Sequence, residues 1–252
     1  MTSVYDIYSY FDSIAPFSTQ EEWDNSGILV GCDKAAVTKA VLCLDVTKSI
    51  VRFASDIGAE LIISHHPVIF GGIKSVKSGD AVYECVKNGI AVLSAHTCFD
   101  KAANGINTNL CKRLGLFDVH PVDGTFIVTG KLDKPMSADD FAQYVSDSLD
   151  VHGLRYTDSD LPIKTVAVGG GACEEYLPQA MDCADCFVTG DMKYHDFLAA
   201  AENNYCVISA GHFETESESF HMLLGELQSK FPNVEFVWGE QKNPVLAVQL
   251  WL

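Results

Sequence analysis

Three short apolar runs in this chain end alike. Ile62-Ile63-Ser64-His65, Val92-Leu93-Ser94-Ala95-His96 and Val207-Ile208-Ser209-Ala210-Gly211-His212 each pass from aliphatic residues through small ones to a histidine. Continuous aliphatic runs of this length fit strands covered on both faces, as parallel strands are in α/β proteins. In open α/β sheets ligands bind outside the carboxyl ends of the strands, so three imidazoles stand where chemistry is usually mounted. A fourth run, Phe187-Val188-Thr189-Gly190-Asp191, brings a carboxylate to such a place. The first run continues through His66 to Pro67, which cannot extend a sheet ladder. Neighbouring side chains of an extended segment point to opposite sides, so His65 and His66 suit two metal ions better than one.

The rest of the chain alternates helix and strand patterns. Ser3 with Asp6 makes a capping pair ahead of Val4, Ile7, Tyr8, Phe11 and Ile14, which predicts a helix over 3–15. Glu22-Trp23-Asp24-Asn25-Ser26-Gly27 is expected to be a surface turn with Trp23 tucked into the core. A strand over 41–46, a helix over 48–58 and a strand over 61–64 form a βαβ unit, and Asp45 either approaches the site or caps the next helix, with capping the default expectation. A helix over 79–88, a strand over 90–94 and a helix over 104–114 follow. The polar segment His120-Pro121-Val122-Asp123-Gly124 interrupts the pattern. It suggests lobes at 1–124 and 125–252, with the last segments packing back on the first. The second part reads as strand 125–130, helix 137–149, strands 153–157 and 163–168, helix 173–182, strand 187–189, helix 193–203, strand 206–209, helix 215–230, and strands 234–238 and 245–251. The expected fold is α/β, in two interlinked lobes of mixed sheets flanked by helices.

Composition excludes several roles. A formal charge of -17 offers nucleic acid or an anionic membrane no general attraction. No apolar run approaches the length of a membrane span. Met1 to Ala15 holds Asp6 and Asp12 but no Lys or Arg, unlike a signal or transit peptide. Nine scattered cysteines read as reduced thiols, so the expected compartment is the cytoplasm.

The candidate chemistry lies in three clusters. His65 and His66 are the first. His96 with Asp100 is the second, although Asp100 read alone is expected rather to begin the helix near 104 or to satisfy loop amides. The third is His212-Phe213-Glu214-Thr215-Glu216-Ser217-Glu218, where Thr215 and Glu218 have capping-box spacing and leave Glu216, four residues after His212, to share a ligand with it. A helix-start role for Glu216 is the alternative. Three histidines with two carboxylates suit zinc, iron, manganese, cobalt or nickel and are too rich in nitrogen for calcium. Five ligands exceed the three that one catalytic zinc usually takes, so two divalent ions per chain are expected, with hydrolysis as the reaction class.

Five segments in order, Trp23-Asp24-Asn25-Ser26-Gly27, Ser64-His65-His66-Pro67, His96-Thr97-Cys98-Phe99-Asp100, Thr189-Gly190-Asp191-Met192-Lys193-Tyr194-His195 and Gly211-His212-Phe213-Glu214-Thr215-Glu216, carry a resemblance. Along its whole length the chain resembles the dinuclear-metal-centre hexameric family, whose members bear the name GTP cyclohydrolase 1 type 2 homologue. The resemblance implies metal ligands at His65, His66, Asp100, His212 and Glu216, two ions in a cleft between two α/β lobes, and a homohexamer. This chain looks like the short form, without an inserted domain. His96, Asp191 and His195 match motif positions that are not ligands, and enter as site-lining or catalytic candidates. Cys98 and Phe99 depart from the usual pattern, as does Gly169-Gly170-Gly171-Ala172-Cys173.

The expected activity is dinuclear metal-dependent hydrolysis of a small nucleotide-like or phosphate-bearing molecule, with Asp191, Lys193 or His195 placing substrate or moving protons. The rival expectation is a non-enzymatic metal-binding interaction or regulatory protein. Gly169 to Gly171 are expected to be a tight turn rather than a phosphate cradle. Cys183 and Cys186 are expected to be structural.

Overall fold

The computed structural model describes residues 1–31 and 33–247. In chain order the elements are α1 (Val4–Ile14), β1 (Gly27–Val30), β2 (Lys39–Cys43), α2 (Lys48–Asp56), β3 (Leu61–Ser64), α3 (Ala81–Asn88), β4 (Ala91–Ser94), α4 (Thr97–Asp100) and α5 (Ile106–Arg113). Then come β5 (Phe117–Pro121), β6 (Val128–Met136), α6 (Ala138–Leu149), β7 (Arg155–Tyr156), β8 (Ile163–Gly169), α7 (Leu177–Cys183) and β9 (Cys186–Thr189). The last are α8 (Tyr194–Glu202), β10 (Cys206–Ser209), α9 (His212–His221), α10 (Leu223–Lys230) and β11 (Glu235–Trp238).

Two compact units divide the chain: Met1–Gly105 with Phe220–Lys242, and Ile106–Ser219 with the segment from Asn243. The first break therefore falls at Gly105, before the Gly124 boundary that the sequence suggests. The reason is local. His120 and Pro121 belong to β5, which pairs antiparallel with β6, and the intervening turn is closed by Val122 N–H donating to Ile127 O at 3.0 Å. The Pro and Gly residues thus build a hairpin inside the second sheet rather than a linker.

The first unit holds a five-stranded sheet in the order β1-β4-β3-β2-β11, parallel except for β1. Leu61, Ile62, Ile63 and Ser64 are all buried, as the unbroken aliphatic run requires. Ile62, Val41 and Val92 pack in one cluster with Ile50, Val51 and Ala54 of α2 and Cys85 of α3. Burying each of these Ile and Val side chains fully is worth roughly 1.5–3 kcal/mol. Helix α1 starts on a reciprocal capping box: Asp6 N–H donates to Ser3 Oγ at 3.2 Å, and Ser3 N–H to Asp6 Oδ2 at 2.7 Å.

The second unit holds a six-stranded mixed sheet in the order β5-β6-β8-β9-β10-β7. Its three central strands are parallel, and their side chains alternate between two cores. Val166, Val168, Val188 and Ile208 join Leu110, Phe141 and Val145 of α5 and α6, whereas Ala167, Phe187 and Val207 join Leu177 and Ala180 of α7 and Ala200 of α8.

Several expected boundaries shift. Residues 97–100 form a helical turn of their own ahead of α5. The helix expected over 215–230 begins at His212 and is broken at Met222. Residues 245–247 carry no strand, and the remainder of the strand expected over 245–251 lies outside the described residues. Trp23 is not tucked into the core: it is 54% exposed. Among the described residues no helix is long and apolar enough to cross a membrane.

Candidate functional site

Strand register decides where the first set of candidate residues emerges. Ser64 pairs with Cys43 of β2 and with Ser94 of β4, so the three strands end level and Asp45, His65, His66 and His96 leave the same edge. His65 is fully buried, and its Nδ1 lies 2.9 Å from Ala95 O. A carbonyl only accepts, so Nδ1 carries the proton and the lone pair sits on Nε2. His66 Nδ1 meets Asp45 Oδ1 at 2.8 Å, and His96 Nδ1 meets Asp24 Oδ1 at 2.9 Å. Each ring is thereby oriented through Nδ1, an arrangement usual for metal-binding imidazoles because it fixes the tautomer and raises the basicity of the other nitrogen.

The three imidazoles form one cluster. Ring centroids are 5.0 Å apart for His65 and His66, 5.2 Å for His65 and His96, and 5.5 Å for His66 and His96. One ligand nitrogen from each lies within 4.8 Å of the other two. The buried Asp100 brings Oδ1 to 3.6 Å from His65 Nε2. It ends α4 rather than starting the following helix, and its N–H donates to His96 O at 3.1 Å. Gly105 keeps this turn tight, since a Cβ there would collide with Phe99 O.

Asp24 and Asp45 are what sequence reasoning missed. The Asp24 carboxylate accepts from His96 Nδ1, from Thr97 N–H at 3.0 Å, from Thr97 Oγ1 at 2.6 Å and from Asn25 N–H at 2.7 Å. Burial alone would raise its pKa, but the bonds from His96 and Thr97 prevail and hold it well below the usual carboxylate range. Asp45 does not cap α2; Thr47 does, with Oγ1 accepting from Ile50 N–H at 3.2 Å. The signal that could have found Asp45 is its place two residues beyond Cys43, the neighbour of Ser64 in the sheet. For Asp24 the signal was its place in Trp23–Gly27, one of the five segments that carry the resemblance, though nothing local named His96 as its partner.

The second unit carries its own cluster. His212 opens α9, with Nδ1 2.7 Å from Asp191 Oδ2 and Nε2 3.1 Å from Glu216 Oε2. Burial opposes the imidazolium, but bonds to Asp191 and Glu216 outweigh it and push the His212 pKa up to about 11. A divalent ion entering this carboxylate-imidazole pair would take the place of the Nε2 proton. Gly171, at φ +62°, makes room for the pair: a Cβ there would collide with Glu216 Oε1 and stand 3.2 Å from His212 Nε2.

The expected capping box is absent here. Thr215 lies inside the helix, its Oγ1 2.9 Å from Gly211 O and accepting from Gly171 N–H at 3.0 Å. Glu218 therefore does not cap this helix, while Glu216 stands against His212. Gly170 N–H is taken by Asn107 Oδ1 at 2.7 Å, so the glycine run is a turn tied to its own unit and no anion cradle.

Of the remaining candidates, Asp191 orients His212, whereas His195 is exposed on α8 with its ring against Tyr194. Lys193 pairs with Glu174 at 2.6 Å. Burial pushes the Cys98 thiol up to about 11, so it is protonated at neutral pH and no ready thiolate ligand. Cys183 ends α7 and Cys186 starts β9, as expected of structural residues.

Both donor sets combine imidazole nitrogen with carboxylate oxygen, a chemistry that fits divalent transition metals. Fold and donor sets together define an α/β protein with two mixed sheets and histidine-carboxylate clusters at the carboxyl ends of parallel strands. The family described as Duf34/NIF3 (NGG1p interacting factor 3) matches residues 2–244, and the chain belongs to it. A Clostridium perfringens relative named GTP cyclohydrolase 1 type 2 homolog is 32% identical, over 95% of this chain and 97% of its own length. A Helicobacter pylori relative named GTP cyclohydrolase 1 type 2 is 30% identical, over 98% of this chain and 100% of its own. A solved structure of the Staphylococcus aureus protein SA1388 superposes with a TM-score of 0.90 at 27% identity, covering 98% of this chain and 99% of that one.

Proposed function

We propose that the chain is a metal-dependent hydrolase of small nucleotide-like or phosphate-bearing substrates. The observation that carries this reading is the common orientation of His65, His66 and His96, each tied through Nδ1 to an acceptor. In this reading His65, His66 and Asp100, together with His212 and Glu216, bind two divalent ions per chain. Bound there, the ions would bring the pKa of water toward neutrality and polarise the scissile group. Ala95 O, Asp45 and Asp191 hold the rings of His65, His66 and His212 in place, and His96, braced by Asp24, lines the site. His195, exposed on α8, is the proton carrier that this reading offers to a leaving group. The names of the clostridial and Helicobacter relatives support a guanine nucleotide as first substrate to try. A cytoplasmic homohexamer completes the proposal.

The test is to purify the protein without added metal, count ions per chain, and assay nucleotides and phosphoesters beside the His65→Ala, His66→Ala double variant. Two ions per chain and turnover lost on chelation are expected. Turnover surviving metal removal would sink the hydrolase reading, and two ions with no turnover across the panel would favour the interaction or regulatory protein.

A further inference from the structure

Two exposed aromatic rings stand beside the histidine cluster of the first unit. Trp23 is 54% exposed and Phe70 is 59% exposed, although both are of the types most often used for burial. Their centroids are 6.0 Å apart at an interplanar angle of 69°, and each lies 6.1 Å from the His96 ring. His96 in turn is 5.2 Å from His65 and 5.5 Å from His66.

This pair is fixed to the cluster rather than left loose on the surface. Asp24, next to Trp23, accepts from His96 Nδ1 and from Thr97 N–H and Oγ1. Asn25 Nδ2 donates at 2.7 Å to Ile69 O, the residue next to Phe70, and so ties the two ring-bearing segments together. Ser26 Oγ accepts from His96 N–H at 3.0 Å. Asp24 and Ser26, which hold His96, and Asn25 between them therefore fix the segments that carry both rings. Rings held in place lose little freedom when a flat ligand settles on them, which is the condition for stacking to add affinity.

We propose that Trp23 and Phe70 form a stacking platform for a planar heteroaromatic ring of the substrate, beside the imidazoles of His65, His66 and His96. Neither ring carries a charge, so the platform selects by flatness. Every base offers a π-face, so the contact fixes the class of ligand and leaves the particular base to polar groups. The inference rests on the hydrolase reading only for the word substrate; ring binding itself stands without turnover.

The experiment measures binding of adenosine, guanosine and ribose 5-phosphate to the metal-loaded full chain by calorimetry, for wild type, Trp23→Leu, Phe70→Leu and Trp23→Phe. Wild type is expected to bind a nucleoside, with roughly 5- to 150-fold weaker binding in each leucine variant, the range that stacking supplies. Trp23→Phe is expected to keep most of the affinity, and ribose 5-phosphate binding and metal content are expected to be the same in all four proteins. Nucleoside binding unchanged in both leucine variants would overturn the platform, as would a leucine variant that changes the assembly state, which would assign the rings to an interface between copies. Nucleoside binding that depends on both rings, in a protein that hydrolyses nothing, would keep the platform and reject the hydrolase.

Discussion

Asp45 Oδ1 lies 2.8 Å from His66 Nδ1, and the carboxylate that the sequence assigns to a helix cap orients an imidazole instead. The cap of α2 is Thr47, two residues on. The two roles separate by mutation. Asp45→Ala is expected to weaken metal binding about 10- to 100-fold, the usual effect of removing such a partner. Thr47→Ala is expected to lower stability by about 0.5–2 kcal/mol and leave metal binding alone. Metal titration and urea unfolding on the same preparations check both, and the reverse pattern would return Asp45 to the helix.

What the sequence made legible was whatever a local pattern determines. The buried run Leu61–Ser64, the capping box at Ser3 and Asp6, and the three strand-end histidines all follow from periodicity or from one short motif. Pairing across the fold was not legible. Nothing local says that Asp24 receives His96, 72 residues away, or that Gly171 leaves room for Glu216. The missed start of α9 has the same cause. Thr215 has the spacing of a cap, but it sits inside the helix and serves Gly171 N–H, 44 residues earlier in the chain. His120 and Pro121 misled for a different reason, because a hairpin turn and a linker share their composition.

Asp24 is the second carboxylate whose worth the structure makes plain. It receives His96, Thr97 and Asn25, and its side chain is fully buried. Asp24→Asn keeps the shape but replaces an acceptor oxygen with a donor facing donors. Leaving such groups unsatisfied costs about 1–3 kcal/mol, more where a charge was involved. A drop in unfolding free energy of at least that size is expected, together with a broadened His96 ring signal in NMR. A variant as stable as wild type would show that the loop finds other acceptors.

Glu60 offers a pH test remote from the proposed metal ligands. Its carboxylate accepts from Thr38 N–H at 3.1 Å, Thr38 Oγ1 at 2.9 Å and Lys39 N–H at 2.9 Å, at the start of β2. Burial would raise its pKa, but the bonds from Lys39 and Thr38 prevail and lower it below the ordinary 4.5. A carboxyl depressed in the folded state stabilises fully above its unfolded value, and that contribution disappears as pH falls through the folded one. The difference in unfolding free energy between wild type and Glu60→Gln is therefore expected to be about 0.5–1 kcal/mol near pH 7, because these bonds are screened by solvent. It should shrink as pH drops below about 4.5. Denaturant melts at pH 7, 5 and 3.5 decide it, and a difference that grows toward acid would refute the sign.

Gly171 gives the sharpest test of the second donor set. Its φ of +62° is a conformation that side chains other than glycine rarely adopt, and a Cβ there would collide with Glu216 Oε1 and crowd His212 Nε2. Gly171→Ala must therefore either push the Glu216 carboxylate away from His212 or move the loop that carries Gly190 N–H and Asp191 N–H, both of which donate to Gly171 O. Either adjustment spoils the pair that a divalent ion would use. Under the proposed two-ion reading, metal occupancy is expected to fall by about half, the loss falling on the His212 and Glu216 set and sparing the His65 and His66 set. Backbone strain of this kind costs on the order of 1–3 kcal/mol, so a stability loss of similar size is expected alongside. Glu216→Gln separates the two effects. It removes the charge without straining the Gly171 backbone, so it should lower occupancy, with a stability loss of its own because the His212 imidazolium loses a buried partner; full occupancy in both variants would remove Glu216 from the ligand set.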